Sequence, residues 1–140
     1  MTISSAEWEV LRVIWTKEEA TSSQIIKVLS SKKNWSVSTI KTLIGRLVDK
    51  GVLQSHREGR GFIYHTNLSE EETNLTSIRH ELDKICQTKH AALIAQLLTE
   101  TPMTKDDVES LRAVLTNKKT VASVECHCVP GQCNCHKPAD

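Results

Sequence analysis

The sequence predicts a mainly α-helical protein with one small β-hairpin and a cysteine-rich tail. Capped amphipathic segments recur along the chain, and two short extended runs flank a glycine-rich tetrapeptide near its middle. Four of the five cysteines lie between Cys126 and Cys135. We therefore divide the chain into a first domain of residues 1–68, a second helical module of residues 69–117, and a tether and tail of residues 118–140.

The composition is typical of a soluble globular protein, with 39% hydrophobic and 25% charged residues among 140. No apolar run approaches the roughly 18 residues of a membrane-spanning helix, and the first residues lack a secretory signal. We therefore expect a cytoplasmic protein with no membrane partner. Thiols stay reduced in that compartment, so clustered cysteines favour metal or redox chemistry over structural disulfides. The sequence shows no catalytic triad, paired acids or phosphate-binding glycine loop, so we expect no enzyme activity.

The first domain begins with three capped helices. Ser4 opens a capping box with Glu7, in which the hydroxyl accepts from the Glu7 amide and the carboxylate reaches back to the cap amide. Thr21 opens a second box with Gln24, and Ser36 caps the third helix. Apolar residues in that third helix recur with a helical period, which leaves a hydroxylated and basic face on the opposite side.

Two extended runs, residues 52–57 and 62–67, enclose two glycines and predict a β-hairpin. Three helices followed by a hairpin with a basic tip make a winged helix-turn-helix, whose third helix enters the major groove of DNA. A net charge of +4 over residues 1–66, against −3 over residues 67–140, is compatible with a nucleic-acid partner. The competing interpretation is that this face is only the solvated side of a core helix. The predicted DNA-contacting residues are Ser38, Thr39, Lys41, Thr42, Arg46, Arg57 and Arg60.

Three further helices are predicted after Ser69, whose capping box with Glu72 places acids at the positive end of a helix dipole. Apolar residues three and four positions apart follow, as in a helix–helix seam, and Thr104 caps the last helix. Three helices are too few to enclose a large core alone, so we expect a homodimer. The residues predicted to form its interface are Leu75, Ile78, Leu82, Ile85, Ile94, Leu97, Leu98, Leu111 and Leu115.

The tail contains two Cys-x-Cys arms, Cys126/Cys128 and Cys133/Cys135, separated by a Val-Pro-Gly-Gln turn sequence. Pro presets φ at the first central position of a turn and Gly accepts a positive φ at the second, so the turn should bring four thiols together. Four thiolates can close a tetrahedral shell around Zn²⁺, and soft sulfur ligands also select Cu(I). These four cysteines are the predicted metal ligands.

Other interpretations of the cysteines stay open. The tail could be a structural zinc clip, a dithiol redox switch or a set of unorganised thiols. His127 and His136 lie beside the cysteines, but four thiols already complete a shell, so we interpret both as bystanders. Cys86 follows Ile85 at the end of a helix, and we interpret it as a small buried hydrophobic residue rather than a ligand.

Three segments resemble a known family: residues 7–15, residues 35–51 and the hairpin are similar to the penicillinase-repressor (BlaI/MecI-type) winged-helix proteins. The cysteine pattern resembles the copper-responsive, CopY-type branch of that family. The resemblance implies a transcriptional repressor of copper homeostasis (export) genes, which binds a palindromic double-stranded DNA operator as a homodimer with Zn²⁺ bound. It also implies that Cu(I) is the inducer, that it displaces zinc from the four-cysteine tail and releases the DNA. A copper chaperone is the expected metal donor.

Two rival functions remain alongside the repressor that responds to copper. One is a copper or zinc thiolate chaperone or store with an incidental helical domain. The other is a repressor that responds to the redox state of its thiols. Copper-reversible binding to a palindromic operator would distinguish the favoured function from the chaperone.

Overall fold

The computed structural model describes residues 2–135, and the chain forms two compact units, Met1–Thr73 and Asn74–Asp140. The described part is mostly helical with a small three-stranded sheet, as the sequence predicted in its main features. The division into residues 1–68, 69–117 and 118–140 stays a prediction. In chain order the elements are α1 (Ser5–Lys17), β1 (Glu19–Thr21), α2 (Ser22–Lys33), α3 (Val37–Asp49), β2 (Gln54–Glu58), β3 (Gly61–His65), α4 (Glu70–Asp83), a 3₁₀ turn (Gln87–Lys89), α5 (His90–Glu100) and α6 (Lys105–Thr116).

The predicted hairpin is formed by β2 and β3, which pair antiparallel with Glu58 opposite Gly61. Gly59 and Arg60 therefore make a two-residue loop. Gly59 has a φ of +63°, the conformation that the first central residue of a type II′ turn requires. A third strand, β1, pairs antiparallel with β3 and gives the sheet the order β1-β3-β2. β1 could not be predicted from the sequence, because three residues are too few to show an alternating pattern.

The core of the first unit lies where α1, α2 and α3 meet the chain that leads into β2. In α3 the buried residues follow the helical spacing that the sequence predicted. Burying one large aliphatic side chain contributes about 1.5–3 kcal/mol, so four such residues strongly favour one rotational orientation of α3. The buried apolar residues are Val10, Leu11, Val13, Ile14, Ala20, Ile25, Leu29, Ile40, Leu43, Ile44, Leu47, Val52 and Leu53.

The predicted helix caps of the first unit are present. The hydroxyls of Ser4, Thr21 and Ser36 each accept a hydrogen bond from the amide three residues on, at 3.1–3.2 Å. The box at Thr21 is complete, because the Gln24 side chain accepts from the Thr21 amide at 2.9 Å. These caps satisfy amide groups that have no partner within the helix and so define where each helix begins.

Glu7 departs from the predicted capping box at Ser4. Glu7 is 3% exposed, and its carboxylate accepts two hydrogen bonds from the Lys50 ammonium, at 2.8 and 2.7 Å, instead of reaching back to the cap amide. The same ammonium donates to the Thr2 carbonyl at 2.8 Å. Lys50 is the C-cap of α3, so this ion pair joins α1 to the end of α3. A carboxylate that is nearly excluded from water needs such a partner, because an unpaired buried charge is costly.

The second unit presents apolar side chains on its surface. Ser69 and Thr104 cap α4 and α6 as predicted, but α4, α5 and α6 bury none of their residues within the described chain. No helix among residues 2–135 is long and apolar enough to cross a membrane. The exposed large apolar residues of these helices are Leu75, Ile78, Leu93, Ile94, Leu97, Leu98, Val108, Val114 and Leu115.

Replacing Lys50 with alanine should destabilise the first unit by about 2 kcal/mol, because the Glu7 carboxylate would keep its burial and lose its partner. We place the value below that of a fully buried pair because the Lys50 side chain is 34% exposed. All three tryptophans lie before residue 36, so tryptophan fluorescence during urea unfolding reports on this unit.

Lys32→Ala is the matched control. It removes an equally short ion pair, 2.9 Å from Lys32 Nζ to Glu9, whose lysine is 46% exposed. Solvent screening should limit its cost to less than about 1 kcal/mol. Equal losses of unfolding free energy in the two variants would contradict a structural role for the Glu7–Lys50 pair.

Candidate nucleic-acid interface and metal centre

The residues predicted to contact DNA all lie at the surface of the first unit. On α3, the side chains of Ser38, Thr39, Lys41, Thr42 and Arg46 are exposed, and they alternate with the four that fill the core. Burial of one face therefore presents the other to solvent. The structure brings hydroxyl groups and two cationic side chains together on that face.

Local hydrogen bonds occupy some of the hydroxyl groups on α3. The hydroxyls of Ser36 and Thr39 are 2.9 Å apart, and the Thr42 hydroxyl donates to the Ser38 carbonyl at 2.9 Å. Within the described chain, neither Lys41 nor Arg46 takes part in a salt bridge. Their charges are therefore available to phosphate or to guanine edges, the groups that lysine and arginine contact in DNA complexes.

Arg57 and Arg60 are exposed on the hairpin. Arg60 belongs to the two-residue loop. Arg57 is directly opposite Phe62 in the hairpin register, and its guanidinium carbon is 6.0 Å from the centre of the Phe62 ring. That distance is at the outer limit of a cation–π contact, so the ring restrains the guanidinium and leaves it accessible.

An open groove of about 410 Å³ lies between α3 and the hairpin. Lys41 and Gly45 line it from α3, while Phe62 and Tyr64 line it from β3. The basic face of the helix and the hairpin therefore border the same groove. This groove could not be predicted from the sequence, because it depends on how α3 packs beside the sheet.

The tail turn has the predicted geometry. The Gln132 amide donates to the Val129 carbonyl at 3.1 Å, and Gly131 has a φ of +95°. Pro130 and Gly131 are thus the central residues of a hydrogen-bonded turn. The Gln132 side chain reinforces it by accepting from the Val129 amide at 3.1 Å. This turn brings the two Cys-x-Cys arms together.

Four sulfur atoms lie within 4.8 Å of one another, those of Cys86, Cys126, Cys128 and Cys133. The sulfurs of Cys126 and Cys133 are 3.1 Å apart, which joins the two arms. Cys135 is outside this set of four, but its sulfur is 3.3 Å from that of Cys86. The structure therefore gathers three of the predicted ligands around Cys86 and places the fourth beside it.

Cys86 was expected to be a small buried hydrophobic residue rather than a ligand, and the structure places its sulfur within the group of clustered thiols. Cys86 is only partly buried, and its sulfur lies 3.1 Å from the Thr88 hydroxyl and 3.5 Å from the Cys126 sulfur. Forty positions separate it from the tail. The one sequence signal that could have identified it is that it is the remaining thiol in a chain with a thiol cluster.

The clustered thiols perturb one another's ionisation. The Thr88 side chain, followed by the Thr88 amide, lowers the pKa of Cys86 to about 5. The hydrogen bond with Cys133 raises the pKa of Cys126 to about 12. Only deprotonated cysteines bind metals, so a cation entering this cluster must release protons from it.

The histidines of the tail are separate from the group of four sulfurs. His127 is exposed and is not a member of that group, and its interpretation as a bystander stays a prediction. The same interpretation of His136 falls outside the described residues.

Comparison with known proteins relates most of the chain to bacterial regulators. The profile of the penicillinase repressor family matches residues 3–117. A 16.5 kDa protein encoded in the ptsI 3′ region of Latilactobacillus sakei is 37% identical over 137 residues, 96% of this chain and 94% of that protein. The methicillin resistance regulatory protein MecI of Staphylococcus aureus (strain N315) is 32% identical over 116 residues, 83% of this chain and 94% of that protein.

Among solved structures, the solution structure of the DNA-binding domain of the repressor BlaI is 44% identical. The match covers 51% of this chain and 87% of that domain, with a TM-score of 0.48. The characterised relatives are regulators rather than enzymes, which agrees with the expectation that the chain is not an enzyme. A family profile that matches 3–117 of 140 residues, together with relatives above 30% identity over most of their length, shows that the chain belongs to the penicillinase repressor family.

Proposed function

We propose that this member of the penicillinase repressor family is a copper-sensing repressor, whose occupancy of a DNA operator depends on the metal held by its thiol cluster. The convergence of five cysteine sulfurs at one place in a repressor chain carries the proposal. The family profile ends at residue 117, so the thiol tail is an addition to the part that the family shares. The regulated genes would then be those of copper homeostasis, including export.

We assign DNA recognition to α3 and the hairpin. Lys41 and Arg46 supply cations on the exposed face of α3, and Ser38, Thr39 and Thr42 supply short hydroxyl side chains that permit close approach. Arg57 and Arg60 reach the flanking phosphates from the hairpin. Because α3 and the hairpin border one groove, both elements can face the same stretch of a double-stranded DNA operator.

We assign dimerisation to the second unit. Its helices leave long apolar side chains in water, such as Leu97 at 57% and Ile78 at 60% exposure, and contiguous exposed apolar surface marks an interface. A second copy of the chain would cover it, and a two-fold dimer matches a palindromic operator. The proposed interface comprises Leu75, Ile78, Leu82, Ile85, Ile94, Leu97, Leu98, Leu111 and Leu115.

The thiol cluster has the donor chemistry that a soft metal requires. Bonds of about 2.3 Å to one tetrahedral Zn²⁺ place the sulfurs about 3.8 Å apart, and the four clustered sulfurs lie within 4.8 Å of one another. The same thiolates suit Cu(I). From the resemblance to the CopY-type branch we assign Zn²⁺ to the DNA-binding form and Cu(I) to the role of inducer. Cys126, Cys128 and Cys133 are the proposed tail ligands, and Cys135, the fourth ligand that the sequence predicts, lies beside Cys86. A copper chaperone in the cytoplasm would deliver the inducer.

A redox-responsive repressor is the second candidate. The sulfurs of Cys126 and Cys133 are already 3.1 Å apart, so a small movement would allow a disulfide under oxidation. Release of DNA by an oxidant such as diamide, but not by Cu(I) under anaerobic reducing conditions, would favour this candidate over copper sensing.

Arg46→Ala should weaken operator binding by about 1–3 kcal/mol if Arg46 contacts a guanine. We would measure this by gel-shift titration at a stated salt concentration, because phosphate contacts make affinity salt-dependent. Arg12→Ala is the control, since Arg12 is an exposed arginine of α1, outside the proposed surface. Unchanged affinity in Arg46→Ala would remove Arg46 from the interface.

Replacing Cys126 and Cys128 together with serine should abolish release of the operator by Cu(I), because one complete arm of the site is lost. The measurement is a gel shift with zinc, then Cu(I), then a chelator. His127→Ala changes the residue between these cysteines and should respond to Cu(I) like the native protein. A double-serine variant that still binds the operator and still releases it with Cu(I) would refute the proposed sensor site.

Leu97→Glu should shift the protein towards the monomer, because it places a charge in an apolar interface. Sedimentation velocity at several protein concentrations would show a lower dimer fraction, corresponding to a fall of at least about tenfold in the dimer association constant. Gln96→Glu, the same new charge on an adjacent residue outside the proposed interface, is the control. If Leu97→Glu dimerises like the native protein, Leu97 does not belong to the interface.

A further inference from the structure

Cys86 is the sulfur that the tail converges on, although it belongs to the helical unit. It lies between the end of α4 and the 3₁₀ turn, and its sulfur is 3.5 Å from Cys126 and 3.3 Å from Cys135. We propose that Cys86 is itself a metal ligand, and that the four-sulfur shell consists of Cys86, Cys126, Cys128 and Cys133, with Cys135 outside it. This inference rests on the proposed function, because it refines the metal site assigned there.

The distances favour this shell over one made only of tail cysteines. Cys86, Cys126, Cys128 and Cys133 all lie within 4.8 Å of one another, and Cys135 is not part of that set. A tetrahedral ion needs sulfurs about 3.8 Å apart, so this group needs only small adjustments to enclose one. Each thiol that becomes a ligand transfers its proton to solvent.

The chain around Cys86 is held in place by hydrogen bonds. His90, the first residue of α5, has its Nε2 atom 2.8 Å from the carbonyls of both Leu82 and Ile85 at the end of α4. The Lys89 amide donates to the Cys86 carbonyl at 2.9 Å. These bonds close the corner between α4 and α5, so the Cys86 sulfur is presented from a formed structure rather than from a loose loop.

The Thr88 hydroxyl contacts both Cys86 and Cys135. It lies 3.1 Å from the Cys86 sulfur and 2.9 Å from the Cys135 sulfur. Hydrogen bonds of this kind orient the ligands of a metal site. The same hydroxyl therefore helps to orient Cys86 and keeps Cys135 beside the shell.

A shell that includes Cys86 has a regulatory consequence. A metal bound only by tail cysteines would organise residues 126–135 alone. A metal bound also by Cys86 links the tail to the corner between α4 and α5, across forty positions of sequence. The metal state of the cluster then acts directly on the helical unit, and a change in the number or choice of sulfurs would loosen or restore that link.

The test compares Cys86→Ser with its matched variant Cys135→Ser in the full-length protein, reduced and without oxygen. Zn²⁺ affinity is measured by competition with a chromophoric chelator, and Co²⁺ is used as a spectroscopic probe of thiolate number. Cys86→Ser should lose at least about tenfold in Zn²⁺ affinity and show weaker thiolate-to-Co²⁺ charge-transfer absorption. Cys135→Ser should keep both within about threefold of the native protein.

A Cys86→Ser variant that binds Zn²⁺ as tightly as the native protein overturns the proposal, whatever Cys135→Ser does. Loss of affinity in Cys135→Ser alone would restore the shell of four tail cysteines. If the native protein itself fails to bind Zn²⁺ in competition with the chelator, the proposed metal-sensing function fails as well, so the two failures are distinguishable.

Alkylation of the native protein gives a second, independent readout. With one equivalent of Zn²⁺, the rate of Cys86 modification by iodoacetamide should fall at least about tenfold together with that of Cys126, as mapped by peptide mass spectrometry. Protection of the tail cysteines with an unchanged rate at Cys86 would overturn the assignment of Cys86. Circular dichroism of Cys86→Ser at matched concentration would establish that its helices are retained.

Discussion

The burial of one face of α3 is the constraint on which the first unit depends. Ile40, Leu43, Ile44 and Leu47 enter the core together, and their helical spacing leaves α3 little freedom to rotate. The opposite, polar face of α3 is exposed as a consequence of this packing, and it needs no further interaction to orient it. The Glu7–Lys50 ion pair then fixes the end of α3 against α1. A surface built in this way is as rigid as the core beneath it, and on the proposed function this rigidity is what precise contact with base edges requires.

The second unit has the opposite character. Ser69 and Thr104 cap α4 and α6, but α4, α5 and α6 bury no residue within the described chain. The hydrophobic stabilisation that α1–α3 obtain from their own core is therefore missing there. On the proposed function, that stabilisation comes from a second copy of the chain. The stability of the helical unit would then depend on protein concentration, as it does for dimers whose separate subunits are poorly packed.

On the proposed function, the thiol cluster would couple metal binding or thiol oxidation to the conformation of this second unit. Metal sensing and redox sensing use the same short sulfur–sulfur distances, and they differ in whether a cation or a covalent bond holds the sulfurs together. In either case regulation requires that the two chemical states of the cluster stabilise different conformations of the protein. A cluster that includes a residue of the α4–α5 corner satisfies that requirement more directly than one confined to a tail, because closing it restrains the helices themselves.

Features whose cause lies within a few residues could be predicted before the structure was known. The caps at Ser4, Thr21 and Ser36, the buried stripe of α3, the hairpin and the Pro130–Gly131 turn all depend on local spacing and backbone preference. Three other features depend on tertiary packing: the strand β1, the partner of Glu7, 43 positions away, and the place of Cys86. No periodicity links residues so far apart in sequence, since their proximity is produced by the packing of other elements. The four tail thiols were therefore evident from the sequence, whereas the position of Cys86 beside them emerged only from the fold.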